Sequence, residues 1–261
     1  MPEFGVIGGS GVYDIPGLEI SGVRKVTTPY GDPSDAYRIG RLAGREIAFL
    51  PRHGACHTIQ PHRINYRANI NGFRRLGVTR LLSVGAVGGI SPGMKPGILA
   101  VPDQVLDHTS GRVSTFFDGD EVVHVDFTAP FCPDLRRYVI ASSGKAGIGV
   151  IPTATYICVD GPRLESAAEI RAFAAWGADI VGMTAMPEAA LAREAGICYA
   201  GISVVTNAAA GISGNRLSSA EVKEMMALSE EKLRTVLLHF FGLDFEEPSC
   251  SCRGALDEAR M

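Results

Sequence analysis

Four short segments of the chain set anion-handling residues beside glycines that let a backbone come close. Gly8-Gly9-Ser10-Gly11 follows an apolar run at 4–7 and combines backbone amides with the Ser10 hydroxyl, a combination suited to cradling an anion. Arg52-His53-Gly54 closes a second run at 47–50, where a guanidinium suits bidentate contact with phosphate oxygens. Gly85-Ala86-Val87-Gly88-Gly89 comes after 81–84 and reads as a small-residue loop offering further amides to the same anion. Gly182-Met183-Thr184-Ala185-Met186-Pro187-Glu188 comes after 180–181 and opens a helix, with Thr184 as cap and anion ligand and Pro near the first turn. Each segment alone is also what a structural turn or a surface ion pair looks like. Their shared position at strand ends is the stronger signal. The dinucleotide fingerprint and the P-loop are both absent, since no glycine loop here carries the required spacing or the Lys followed by Ser or Thr.

Such segments need a scaffold, and the rest of the pattern supplies one. Further β-branched apolar runs lie at 98–101, 156–159 and 202–205, and stretches with helical spacing lie at 65–76, 135–146, 166–176, 187–194 and 219–241. This alternation predicts an α/β fold, a single-domain mixed β-sheet flanked by helices. Ligands of such sheets sit beyond the carboxyl ends of the strands, where all four segments fall. With 261 residues, 46% hydrophobic and 20% charged, the chain fits one large domain over 1–243 and a polar tail over 244–261 expected to be mobile or to dock on a neighbour. There is no internal repeat.

A net charge of −3 gives no electrostatic footprint for nucleic acid. The start has no basic, apolar leader, and no run of about 18 apolar residues occurs. A small-molecule substrate, a cytoplasmic location and no membrane partner are the expectations. Of six cysteines, Cys56, Cys132, Cys158 and Cys198 lie in apolar surroundings and read as buried thiols. Cys250-Ser251-Cys252 is too short for a four-ligand metal site unless partners come from elsewhere, and reads as two tail thiols.

In order along the chain, GGSG, RHG, NYRANI, GAVGGI, GPRLES, GMTAMPEAALAREAGICYA and TNAAAG resemble the trimeric purine nucleoside phosphorylases, especially their methylthioadenosine phosphorylase branch. The likeness covers nearly the whole length. It implies a phosphate pocket of Ser10, Arg52, His53, Gly85, Ala86 and Thr184, with Met183 against the ribose. It also implies attack of phosphate on the anomeric carbon through an oxocarbenium-like transition state, releasing free purine and ribose 1-phosphate or its 5-methylthio analogue, with no cofactor and no metal. The nucleophile is already an anion, so the protein has to position it and stabilise the electrons arriving on the purine. His53 therefore need not be a general base. A hydrolase of the same broad fold would dispense with phosphate, and retention of Arg52 and the small-residue loops argues against that.

The resemblance also places the base among Leu164, Glu165, Asn207, Ala208 and Ala209, and here the chain departs from the methylthioadenosine enzymes. Those typically have Asp at the positions of Asn207 and Ala209 and a small residue at Glu165. The Asn207 amide can donate to nitrogen 7 and to a 6-oxo group, which makes it the expected catalytic residue, and a Glu165 carboxylate can accept the ring N–H of hypoxanthine or guanine. Glu165 as a first-turn acid and Asn207 as a turn residue are the plainer alternatives. The pair resembles that of 6-oxopurine phosphorylases, acting on 5′-methylthioinosine or on inosine and guanosine in purine salvage; methylthioadenosine phosphorolysis is the second reading. The TSGR segment at 109–112 is similar to the methylthioinosine enzymes. Leu217, Val222 and Met226 offer an apolar 5′ pocket or, equally, helix core. His124, in VVHVDF, matches a position that reaches the 5′ group from an adjacent subunit, so a homotrimer, with pairing into a hexamer left open, is implied.

Overall fold

The computed structural model describes residues 1–10, 12, 15, 17–214 and 217–261. Gly11 of the first glycine segment lies outside them. The strands with no polar face take the middle of the sheet, because a segment covered on both sides has nothing to present to water. All five residues of β1 (Phe4–Gly8) are buried. It runs parallel to β4 (Arg45–Pro51) on one side and β5 (Arg80–Gly89) on the other. Beyond β4 the sheet continues antiparallel through β3 (Tyr37–Leu42) to β2 (Glu19–Arg24).

β5 is the pivot. Along one edge it carries β11 (Cys198–Ala208), from which β6 (Leu99–Ala100) and β8 (Val150–Ile151) branch. Along its other edge β1 ends at Val84, and β10 (Ile180–Gly182) begins antiparallel at Gly88, followed by β9 (Thr155–Val159) and β7 (Gln104–His108). Over 85–87 no described strand occupies that edge. The sheet is thus mixed, with a split beside the carboxyl end of β1.

Alternation along β1 sends Ile7 into one apolar cluster and Phe4 and Val6 into another. The first is closed by α1 (Tyr66–Arg75) and α4 (Ala185–Glu194), the second by α2 (Pro133–Lys145) and α5 (Ser219–Phe241). A third covers β9 and β10 with α3 (Ala167–Ala175). The chain forms one domain, a mixed sheet between helices.

Three expectations change. The 85–89 segment is strand, paired to β11 through its length, and not a loop. The tail does not stand away: Phe245 packs on Phe4, Phe240 and Tyr138, Cys252 and Ala259 are buried, and His124 donates its backbone N–H to the Ala259 carbonyl at 2.8 Å. A few apolar side chains spaced through a polar segment suffice to seat it on its own chain. Among the cysteines, Cys56 is exposed.

Candidate active site

The split beside β5 opens into a cavity of about 280 Å³. It brings together Ser10 after β1, Arg52 and His53 after β4, Gly85 and Ala86 in β5, Leu164 and Glu165 ahead of α3, Met183 and Thr184 after β10, and Asn207 in β11. Ala208, Ala209 and His124 do not line it. Ala209 is buried with its N–H given to the Gly89 carbonyl, and the Ala208 carbonyl serves Asn207. His124 is exposed on the outer surface.

Arg52 is fully buried, and its fork is already taken. Its Nε and Nη2 donate to the two Glu188 oxygens at 2.7 and 2.9 Å, and Nη2 also donates to Ser83 Oγ at 2.8 Å. Burial alone pulls the guanidinium down, and the Glu188 charge outweighs it and holds Arg52 above its ordinary range. Only Nη1 is left for the cavity, held by a long contact with the Val84 carbonyl at 3.4 Å. The Nε–Nη2 edge is spent on Glu188, so a second donor to phosphate beside Nη1 could come only from Nη2 on leaving Ser83, and in this structure a single nitrogen stands where the fork was expected. Gly9 is needed beside it, since a Cβ there would lie 2.8 Å from Nη1 and 3.1 Å from the Val84 carbonyl.

Glu188 reaches this position because regular helix starts at Pro187. Thr184 makes no side-chain cap bond, contrary to expectation, and Met186 is extended at φ −113, ψ 136. Proline needs no N–H at the first helical position, and the next residue, in the positive first turn, suits a carboxylate. The non-helical stretch is held from outside. Arg112 Nη1 donates to the Met183 and Met186 carbonyls at 2.8 and 2.6 Å, and the buried Cys158 thiol, pushed up to about 12 by burial, accepts from the Met186 N–H at 3.3 Å. Gly182 is required here, because a Cβ would sit 1.9 Å from the Tyr156 hydroxyl. Arg112, the last residue of the TSGR segment, thus positions Met183 from outside the cavity lining.

His53 Nδ1 lies 2.8 Å from the Ile59 carbonyl, which can only accept, so Nδ1 carries the proton. Burial, aided by the Arg52 and His57 charges, lowers this imidazole to about 4, and it is neutral at pH 7 with Nε2 as a bare acceptor. An acceptor among donors suits the one O–H of hydrogen phosphate. The same shift makes a prediction. The unfolded chain takes up this proton near 6.5 and the folded one only near 4, so stability is full above 6.5 and is lost as pH falls through that window. Chemical denaturation at one protein concentration should show His53→Asn losing about 2–3 kcal/mol less than the parent between pH 7 and pH 4.5. Equal losses in the two proteins would show that His53 does not titrate in this way.

At the other end, Asn207 owes its orientation to a β-bulge in β11 between Val205 and Asn207. Its Oδ1 accepts from Thr206 Oγ1 at 2.9 Å and its Nδ2 donates to the Ala208 carbonyl at 2.9 Å. One N–H remains to give, where two were expected. Glu165 is half-buried, and burial raises its carboxyl above the ordinary value. It is not the helix cap: Ser166 and Glu169 form a reciprocal capping box, and Glu169 also holds Arg163 at 2.8 Å. Glu165 therefore lines the cavity and takes no part in the cap, its carboxylate accepting from its own backbone N–H. Leu217 and Val222 line the cavity, but Met226 is buried in the core.

The sequence reading missed the residues that hold the site together, two of them, Ser83 and Tyr199, in the cavity wall itself. Glu188, Tyr199, Ser83 and Arg112 hold Arg52 and Met183 in place, Tyr199 by donating to Glu188 Oε1 at 2.7 Å. The one signal for Glu188 was an acid directly after a helix-starting proline, which the helix dipole alone would explain.

Residues 3–242 match the phosphorylase superfamily model, and the chain belongs to that family. It is 46% identical to 6-oxopurine nucleoside phosphorylase of Pyrococcus furiosus, over 99% of each chain. It is also 46% identical to a probable S-methyl-5′-thioinosine phosphorylase of Thermodesulfovibrio yellowstonii, over 98% of this chain and 97% of the relative. A solved structure of methylthioadenosine phosphorylase from Schistosoma mansoni in complex with adenine superposes with a TM-score of 0.94 at 31% identity, covering 100% of this chain and 99% of that one. The fold is common to relatives with different purines, so the base has to be argued from the pocket.

Proposed function

We infer that this protein is a pentosyltransferase that cleaves 6-oxopurine nucleosides with inorganic phosphate, giving free base and ribose 1-phosphate or its 5-methylthio analogue. The observation that carries the reading is the pairing of Asn207 and Glu165 across one cavity. With its carbonyl held by Thr206, the Asn207 amide turns an N–H outward, which supports donation to nitrogen 7 as electrons arrive there and to the neighbouring 6-oxo group. Glu165, freed from capping by Glu169, suits the ring N–H that hypoxanthine and guanine carry and neutral adenine lacks.

At the phosphate end, Ser10, Thr184 and Arg52 Nη1 are the donors and His53 Nε2 the acceptor. The Arg52–Glu188 pair is neutral overall, so the dianion keeps its charge to stabilise the developing ribosyl cation. In this reading the reaction needs no cofactor. No helix of the described residues is long and apolar enough to cross a membrane, and the reading assigns the enzyme to the cytoplasm. Exposed His124, two residues from exposed Val122, supports a closed homotrimer in which this surface completes a neighbour's 5′ pocket.

The test is phosphate-dependent release of base from 5′-methylthioinosine, inosine, guanosine and 5′-methylthioadenosine in parallel. The expected result is cleavage of the 6-oxo substrates at least about tenfold faster than methylthioadenosine, the effect of one unmatched hydrogen bond. Methylthioinosine far ahead of inosine would assign an apolar 5′ pocket. Preference for methylthioadenosine would overturn the base-pocket reading.

A further inference from the structure

Four cysteines from three separate segments meet on the side of the sheet opposite Tyr199. Cys132 caps α2, Cys198 begins β11, and Cys250 and Cys252 come from the tail. Their sulfurs all lie within 4.8 Å of one another, with Cys198 and Cys250 at 3.5 Å. The C-x-C spacing that reads as two tail thiols acquires, through the docked tail, the two distant partners that a four-ligand site needs.

We propose that these four cysteines bind a structural zinc ion in a tetrathiolate site. Ligands at about 2.3 Å from one tetrahedral ion stand about 3.8 Å apart. The sulfurs are near that spacing already, and Cys132, Cys198 and Cys252 are buried among apolar side chains, as a closed structural site requires. Binding displaces the thiol protons to solvent, with no oxidation, and leaves a net charge of two minus on the centre. Two groups face that charge. The Leu135 N–H, in the first turn of α2, donates to Cys132 Sγ at 3.4 Å, and Arg193 Nη1 lies 3.6 Å from Cys252 Sγ. Such second contacts orient and stabilise metal thiolates.

The site also has a place in the wall of the cavity. Phe131 precedes Cys132 and Tyr199 follows Cys198; both line the cavity, their rings stack at 5.8 Å, and the Cys132 N–H donates to the Tyr199 carbonyl at 2.7 Å. One ion would fix the tail, α2 and β11 together behind the Tyr199 that holds Glu188.

The test is metal content of the full-length chain, purified under reducing conditions, loaded with zinc sulfate and desalted, alongside cobalt(II) titration of the reduced apoprotein. One zinc per chain is expected, together with an intense sulfur-to-cobalt charge-transfer band. Cys56→Ser should leave both unchanged, and Cys250→Ser/Cys252→Ser should abolish both. Absence of zinc and of the cobalt band while all six thiols titrate would overturn the site. So would an intact chain lighter by four hydrogens and free of metal, which would mean two disulfides. The cobalt titration needs no substitution, so the result stands even if the double variant does not fold.

Discussion

Replacing Glu188 by Gln should destabilise the protein by about 3–5 kcal/mol in phosphate-free buffer, because it strands a fully buried Arg52 without its counter-charge. For a chain of this size the melting temperature should fall by on the order of 10 °C. Phosphate should restore much of that loss. In the parent, Arg52 has Nη1 left for the cavity and its charge is cancelled by Glu188 at 2.7 Å. In the variant, a bound dianion becomes the available counter-ion, so the rise in melting temperature on adding phosphate should exceed the parent's. Arg52→Ala should behave in the opposite way, with phosphate saturation weakened and little thermal response to phosphate. Measuring both variants by thermal unfolding across a phosphate series separates the two roles. A Glu188→Gln protein that melts within about 2 °C of the parent would show that the pair is not what holds Arg52.

That pair also marks the boundary of what could be read from the chain. The site's front was legible because glycines, Arg52 and Thr184 fall at the ends of apolar runs, and chain connectivity puts the ends of parallel strands together. The sheet's inner strands were legible for the same reason. β2 was not, since its EISGVR is exposed at nearly every position and carries no apolar period. Nor was the extension of β5 through Gly88 and Gly89, whose glycines read as a loop until a partner strand is in place. Long-range pairings were the least accessible: Glu188 lies 136 positions from Arg52, and Cys250 lies 52 from Cys198. Nothing local in either stretch encodes its partner. The tail's docking rests on a few scattered apolar side chains, Phe245, Cys250, Cys252 and Ala259, and on long-range hydrogen bonds such as those from the Ser249 and Cys250 N–H groups to Asp134, none of which alters a compositional reading.

The base pocket was the one place where a departure from a pattern carried more than agreement with it, and Asn207→Asp tests it most sharply. The substituted carboxylate keeps an acceptor for Thr206 but loses the N–H that Asn207 turns outward and the one it gives to the Ala208 carbonyl. Its charge then faces the 6-oxo group, an acceptor against an acceptor, whereas a 6-amino group donates to it. A penalty of roughly 2 kcal/mol on one side of the comparison corresponds to about a 30-fold rise in the ratio of kcat/KM for methylthioadenosine over methylthioinosine. The rise should itself depend on pH. Burial raises the Glu165 carboxyl, so its protonated fraction grows as pH falls through that raised value. Protonated Glu165 can donate to the bare ring nitrogen of adenine, whereas the ionised form repels it. Cleavage of methylthioadenosine by the variant should therefore increase as pH falls from neutrality towards the raised Glu165 value, and adding Glu165→Gln, a permanent donor, should flatten that limb. An unchanged substrate ratio in the single variant would remove Asn207 from base selection, and a pH limb that survives Glu165→Gln would remove Glu165.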